Sequence, residues 1–149
     1  MPQLTAQEIA ERAAASMMRG DRASQWLGLS LDAVAPGSAT MSMIVDDHHL
    51  NGHGICHGGF IFTLADSAFA FACNSHNQSA VAQHNTISFI APGRKDERLV
   101  ATATETSKSG RSGVYDVTVT GESDRIIAEF RGVSRVINGQ HFDENEGTQ

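Results

Sequence analysis

The sequence predicts an α+β fold in which a long central helix is wrapped by a curved antiparallel sheet of about six strands. Two observations carry this expectation. The second half of the 149-residue chain is a succession of alternating apolar and polar segments parted by short, glycine-rich breaks, which favour antiparallel neighbours over crossovers. One segment near the middle is apolar in nearly every direction around a helical axis, the pattern of a helix enclosed by protein. A hydrophobic content of 40% in a chain of this length suits one compact domain with a real core.

Taken in order, Thr5-Ala6-Gln7-Glu8 supplies a hydroxyl cap and a returning glutamate, which opens a helix over residues 5–20 that Gly20 ends. Ile9, Ala10, Ala13 and Met17 recur on one side of it, so it is amphipathic and should lie on something larger. After Trp26-Leu27-Gly28 the period changes: residues 29–34 and 39–45 alternate as strands, and Ala35-Pro36-Gly37 between them has the turn chemistry of a hairpin. Residues 46–56, with Asn51-Gly52 and Gly54, read as a functional-length loop. The apolar helix follows over residues 57–75. Four strands come next, at 80–90, 99–106, 114–120 and 126–136, with breaks at Ala91-Pro92-Gly93, at 109–113 and at 121–124. Tyr115, Val117 and Val119 against Val114, Asp116 and Thr118 typify their alternation. The acidic tail, about residues 143–149, is expected to be disordered.

The central helix keeps one carboxylate, Asp66, whose neighbours at helical spacing are Gly59, Phe62, Phe69 and Cys73. No lysine or arginine shares that stripe. An unpaired carboxylate in such a place costs several kcal/mol or holds its proton, unless it faces a site supplying water, donors or substrate. It is therefore read as a catalytic base or nucleophile; the structural alternative is a buried acid satisfied by backbone donors. At the helix start, Gly58-Gly59 would present uncapped amides with the positive end of the helix dipole behind them, a place suited to a developing oxyanion. At about 1.5 Å per residue, Gly58 or Gly59 and Asp66 lie about 10–12 Å apart along one axis, whereas a reacting carbon must be about 3 Å from each. Two antiparallel copies of the helix could close that gap, so an obligate dimer with composite sites is expected.

Charge and cysteine content exclude several classes. A formal net charge of −6 disfavours nucleic acid as a partner. No run of roughly 18 apolar residues is present and the N-terminus lacks a basic segment followed by an apolar one, so neither a membrane span nor a secretory signal is expected, and a cytoplasmic location is. Cys56 and Cys73 are expected as free thiols. The sequence places Arg94, Lys95, Arg98, Lys108, Arg111, Arg125, Arg131 and Arg135 within residues 91–135, which is most of the basic residues of the chain.

Asn51-Gly52-His53, Cys56-His57-Gly58-Gly59, Leu64-Ala65-Asp66 and Phe69-Ala70-Phe71-Ala72-Cys73-Asn74-Ser75 together closely resemble the hotdog-fold acyl-CoA thioesterases of the phenylacetate-degradation (PaaI) type. The resemblance continues through Pro92-Gly93, 112–116 and Phe130-Arg131-Gly132. It implies a fold of a long helix wrapped by antiparallel sheet, paired into dimers and then a dimer of dimers, with hydrolysis of aryl-acetyl-CoA thioesters as the activity and no cofactor. It implies that Asp66 attacks the thioester or activates water, that the Gly58 amide, with Gly59 nearby, is the oxyanion donor from the other subunit, that Asn51 positions the water or the acid, and that His57 orders the turn or acts near the thioester. Relatives with a glutamate nucleophile often carry a hydroxyl one turn on; Ala70 stands there here, which removes that assistance.

Phe60, Phe62 and Phe69 offer an aryl-acyl pocket, with simple core packing as the alternative. Lys108, Arg111, Arg94 and Lys95, in two loops, are candidates for the CoA phosphates. Two rival chemistries are set aside. A zinc site among His48, His49, His53, Cys56 and His57 is disfavoured because Asn51-Gly52 and Gly54 break the regular helix that would converge them, so no metal is expected. Cys56 near a helix start could be a nucleophile, but adjacent residues such as Cys56 and His57 rarely aim at each other. Different classes remain as alternatives: a hotdog acyl-CoA hydratase, or a non-catalytic acyl-CoA-binding protein.

Overall fold

The structure, a computed structural model, describes residues 3–146. Helices α1 (Ala6–Gly20), α2 (Arg22–Leu27) and α3 (Gly58–Cys73) accompany strands β1 (Ser30–Ala35), β2 (Ser38–Ile44), β3 (Ala80–Phe89), β4 (Arg98–Ser109), β5 (Ser112–Thr120) and β6 (Ile126–Val136). All six strands form one antiparallel sheet in the order β1-β2-β4-β5-β6-β3. The short breaks make the β1–β2, β4–β5 and β5–β6 neighbours, and Gly37 and Gly110 take the positive φ their tight turns require. β3 instead follows the helix and pairs with β6, which leaves it as an edge.

α3 lies in the concave face of this sheet and packs on β2, β4 and β5. Its Ile61, Leu64, Ala65, Ala68, Phe69, Phe71 and Ala72 are buried with Met41 and Met43 of β2, Leu99, Ala101 and Ala103 of β4, and Tyr115, Val117 and Val119 of β5. Enclosure by the sheet thus accounts for one side of the apolar pattern, while a stripe through Phe62, Thr63, Asp66, Ser67 and Ala70 stays only half-buried in the single chain. Of the segment expected as helix, residues 57–75, His57 is the N-cap and Asn74 the C-cap. Asn74 Nδ2 donates to the Ala70 and Ala80 carbonyls while its Oδ1 accepts from the Ala80 amide, fastening the helix end to the start of β3.

α1 carries the Thr5–Glu8 capping box and buries Ala10, Ala13 and Ala14. α2 has no counterpart in the expectations: at six residues it is too short to show a period, yet Asp21 caps it by accepting from the Ser24 amide and hydroxyl, and left-handed Gly28 ends it. The acidic tail expected to be disordered is held in place through Glu144. Asn77, fully buried, donates from Nδ2 to the Phe142 carbonyl and Glu144 Oε1 and accepts the His141 amide at Oδ1. Residues 147–149 of that tail lie outside the described residues.

One glycine in the sheet sets the position of the helix. Gly132 of β6 stands opposite Asn85 of β3, and a Cβ there would lie 2.8 Å from two ring carbons of Phe69. Phe69 is buried against Tyr115 and Phe130, which hold its ring against the sheet. Gly132→Ala is therefore expected to cost about 1–3 kcal/mol through overpacking, read as a lower urea midpoint at unchanged m-value.

Candidate active site

The loop leading into α3 is built from its own backbone. Asn51 Oδ1 accepts the His53 amide at 2.9 Å and the Ile55 amide at 3.4 Å, and Cys56 N–H donates to the Gly93 carbonyl. Beneath it Glu97, buried, accepts the Arg94 and Glu122 amides and, at both carboxylate oxygens, Arg125 Nη2, whose Nη1 donates to the Pro92 carbonyl. Burial alone would raise the Glu97 carboxyl, but these donors outweigh it and hold it low. His49 closes the other side: its Nδ1 accepts the Asp46 amide, so Nε2 carries the proton and donates to the Leu27 carbonyl at 3.1 Å. The His49 carbonyl in turn accepts the His57 amide.

His57 caps α3 through its ring. Nδ1 accepts the Gly59 amide at 2.9 Å, which corrects one expectation: the Gly59 N–H is committed to the imidazole and is not free for an oxyanion. Gly58 N–H has no partner among the described residues and stands at the positive end of the helix. The absence of a side chain at Gly58 is also steric, since a Cβ would meet the Phe89 ring at 3.1 Å. Gly58 lines a cleft of about 370 Å³ with Asn51, Ile55, Cys56, Ile61 and residues 89–92.

Asp66 lines a different cleft, of about 400 Å³, with Met17, Phe69, Ala70, Cys73, residues 79–82, Ile137 and His141. Burial pushes its carboxyl above the ordinary aspartate value, and one hydrogen bond opposes the rise: Asn85 Nδ2, from β3, donates to Asp66 Oδ1 at 2.9 Å. The expected alternatives for Asp66 were no local partner or backbone donors; the partner is a side chain. Asn85 carries no sequence signal, because it lies 19 residues away on a strand whose pairing brings it under the helix. Within one chain Asp66 and Gly58 therefore border separate clefts, one at the start of β3 and one at its end.

The remaining expected residues divide. Phe69 lines the Asp66 cleft, but Phe60 packs on His49 and His57, and Phe62 on Phe130, so the three phenylalanines do not form one acyl pocket. Phe62 and Phe69, seven residues apart, share one side of the helix and both pack on Phe130, while Phe60 turns to the histidines of the entry loop. Lys95 pairs with Asp47 at 2.8 Å, while Lys108 meets Gln78 at 3.5 Å; the Arg94 and Arg111 side chains make no ion pair among the described residues. Cys56 is a buried thiol pushed up to about 11, the reverse of the lowering expected from the helix start, because burial dominates. It stays protonated and is a poor nucleophile.

Comparison with known proteins follows this geometry. Residues 53–128 match the Thioesterase superfamily. The acyl-coenzyme A thioesterase PaaI of Escherichia coli is 40% identical over 124 residues, 83% of this chain and 89% of that protein. Human acyl-coenzyme A thioesterase 13 is 29% identical over 74% of this chain and 81% of its own length. The solved structure of the E. coli PaaI protein from the phenylacetic acid degradation operon superposes with a TM-score of 0.90 at 38% identity, covering 91% of this chain and 99% of that one.

The raised Asp66 carboxyl has a thermodynamic consequence. A folded-state value above the unfolded one means that stability falls as pH rises from about 3.8 through the folded value. Asp66→Asn, which has no charge to desolvate, is expected to melt higher than the wild type at pH 7, by about 2–4 °C per kcal/mol regained. The two should converge in acid, where both side chains are neutral; calorimetry across pH reads the difference.

Proposed function

This chain belongs to the Thioesterase superfamily and has its hotdog fold, and from that premise we propose that it is an acyl-CoA thioesterase that hydrolyses aryl-acetyl-CoA thioesters, of the phenylacetyl or hydroxyphenylacetyl type, to the free acid and CoA. The named relatives support the acyl-CoA class, and the E. coli relative's operon supports phenylacetate degradation as its setting. The apolar lining around Asp66, with Phe69, Met17 and Ile137, suits an aromatic acyl group.

The observation that carries the mechanism is the separation of Asp66 and the free Gly58 amide into clefts at opposite ends of one exposed edge strand. β3 leaves Val81 and Phe89 exposed, with Ile90 just beyond it, an apolar edge that invites pairing. If β3 pairs antiparallel with its own copy about a two-fold axis near Asn85 and Thr86, residues 79–82 of one subunit come beside residues 89–92 of the other. The Asp66 cleft then joins the partner's Gly58 cleft, twice per dimer. A dimer of dimers is the assembly the resemblance favours, and a cytoplasmic location goes with it; no helix among the described residues is long and apolar enough to cross a membrane.

In the joined site the ionised Asp66 takes a proton from water, and the resulting hydroxide attacks the thioester carbon. The carbonyl oxygen gains negative charge opposite the partner's Gly58 N–H, backed by the helix dipole; a prepositioned donor of this kind is worth about 3–4 kcal/mol. The C–S bond then breaks, and the proton held by Asp66 goes to the leaving thiolate sulfur. Direct attack by Asp66 uses the same geometry through an anhydride. Asn51, with its Oδ1 committed to the loop, retains an amide nitrogen to orient water or acid. Arg94, Lys108 and Arg111 are the candidates for CoA phosphates, and Lys95 serves only if it leaves Asp47.

Release of free CoA thiol from aryl and aliphatic thioesters tests the activity; a chain that binds these esters or hydrates an enoyl group without releasing thiol would refute it. Shared sites are tested by complementation. Gly58→Pro deletes the amide at the first helical position and is expected to lower kcat about 10²–10³-fold, whereas Gly58→Ala, which crowds the Phe89 ring equally but keeps the amide, should lose much less. Asp66→Asn should abolish turnover. Co-expressed in equal amounts, the two variants should recover about a quarter of wild-type activity, because half the dimers are mixed and each mixed dimer has one intact site.

A further inference from the structure

Among the described residues Asp66 receives one protein hydrogen bond, and the amide that gives it is only half used. Asn85 Nδ2 donates to Asp66 Oδ1 at 2.9 Å, whereas Asn85 Oδ1 is buried with no hydrogen-bond partner. Roughly nine in ten buried polar groups have a partner, and this oxygen is the buried side-chain exception among the described residues. The fold does not require it. β3 is held to β6 through its backbone, with Asn85 opposite Gly132.

We propose that Asn85 is a positioning residue that follows Asp66 through its proton cycle: Nδ2 donates to the carboxylate, and once Asp66 is protonated the amide turns over and its Oδ1 accepts from the carboxyl O–H. This rests on the reading of Asp66 as the base. An amide carries a donor and an acceptor on one planar fork, so a half-turn about χ2 exchanges them without changing the volume occupied. In the ionised state the bond to Oδ1 fixes the plane of the carboxylate and leaves Oδ2, which takes no protein hydrogen bond among the described residues, for the attacking water. The proton taken from water lands on Oδ2, so a half-turn of the carboxyl brings that O–H to Asn85, where the formerly orphaned oxygen accepts it, and the reverse turn presents it to the leaving sulfur. Water supplies the proton and the leaving thiolate removes it, so the cycle closes with Asn85 unchanged.

The titratable neighbours do not offer a competing explanation. On α3 the nearest is Cys73, a thiol pushed up to about 12 by burial and by the Asp66 charge. From the C-terminal segment His141 borders the same cleft, its ring held down by burial and its Nε2 on Asn74 Oδ1. β3 adds His84, exposed beside Asn85, and on β6 Arg131 is paired with Asp116. Asn85 is left as the group that stabilises the carboxylate.

The test follows the Asp66 carboxyl carbon and the Asn85 side-chain NH₂ by NMR across pH in the intact protein, beside the acid limb of kcat/KM. In the wild type, both signals should move with one midpoint. Asn85→Leu removes the donor and should raise the Asp66 midpoint and the acid limb together by about one pH unit. Asn85→Asp, nearly the same shape, serves if the leucine variant fails to fold: two carboxyls must share a proton, so the titration should rise further and split into two steps. A folded variant whose Asp66 midpoint stays within about 0.3 pH unit of wild type, about a twofold change in proton affinity, overturns the proposal, as does an Asn85 NH₂ signal that ignores the Asp66 transition. The carbon titration needs no turnover, so a chain that hydrolyses no thioester would sink the hydrolase reading and still decide this one.

Discussion

A rigid helix cannot bring its own start to its own middle, and much of this molecule follows from that constraint. α3 is packed by its buried face on β2, β4 and β5, so it can neither bend nor slide without opening the core. Its N-terminal amide and its single carboxylate are held at a fixed separation and on different clefts. The sheet order then decides what can be done with them. By pairing with β6 and leaving its other side open, β3 becomes the one element that runs past both clefts and still has a free edge.

The site is made by withholding partners as much as by supplying them. The entry loop satisfies its own groups thoroughly: Asn51 Oδ1 holds two amides, His49 bridges Asp46 and Leu27, and His57 takes the Gly59 amide. Against that background the Gly58 N–H stands out because nothing among the described residues answers it. Asp66 is the counterpart on the other cleft, with one side-chain donor where a buried carboxylate elsewhere in the same chain, Glu97, receives two amides and one guanidinium nitrogen shared by both its oxygens. The two acids accordingly move in opposite directions, Asp66 up and Glu97 down. One is raised by burial with a single donor against it; the other is held low by its several donors.

The local chemistry of the chain determined the α+β class, the long helices, the six strands, the turns at Gly37 and Gly110, and the candidates Asp66 and Gly58, because period, capping and charge placement act over a few residues and are written contiguously. Short α2, the order of the sheet and the anchoring of Glu144 on Asn77 were decided only in three dimensions. So were the commitment of the Gly59 amide to one imidazole, the turning of Phe60 away from Phe62 and Phe69, the raised thiol of Cys56, and the Asn85 amide under Asp66. Each of these depends on which surfaces the closing sheet presses together and which it leaves dry, and burial of that kind is a property of distant segments in contact that no single stretch of sequence contains.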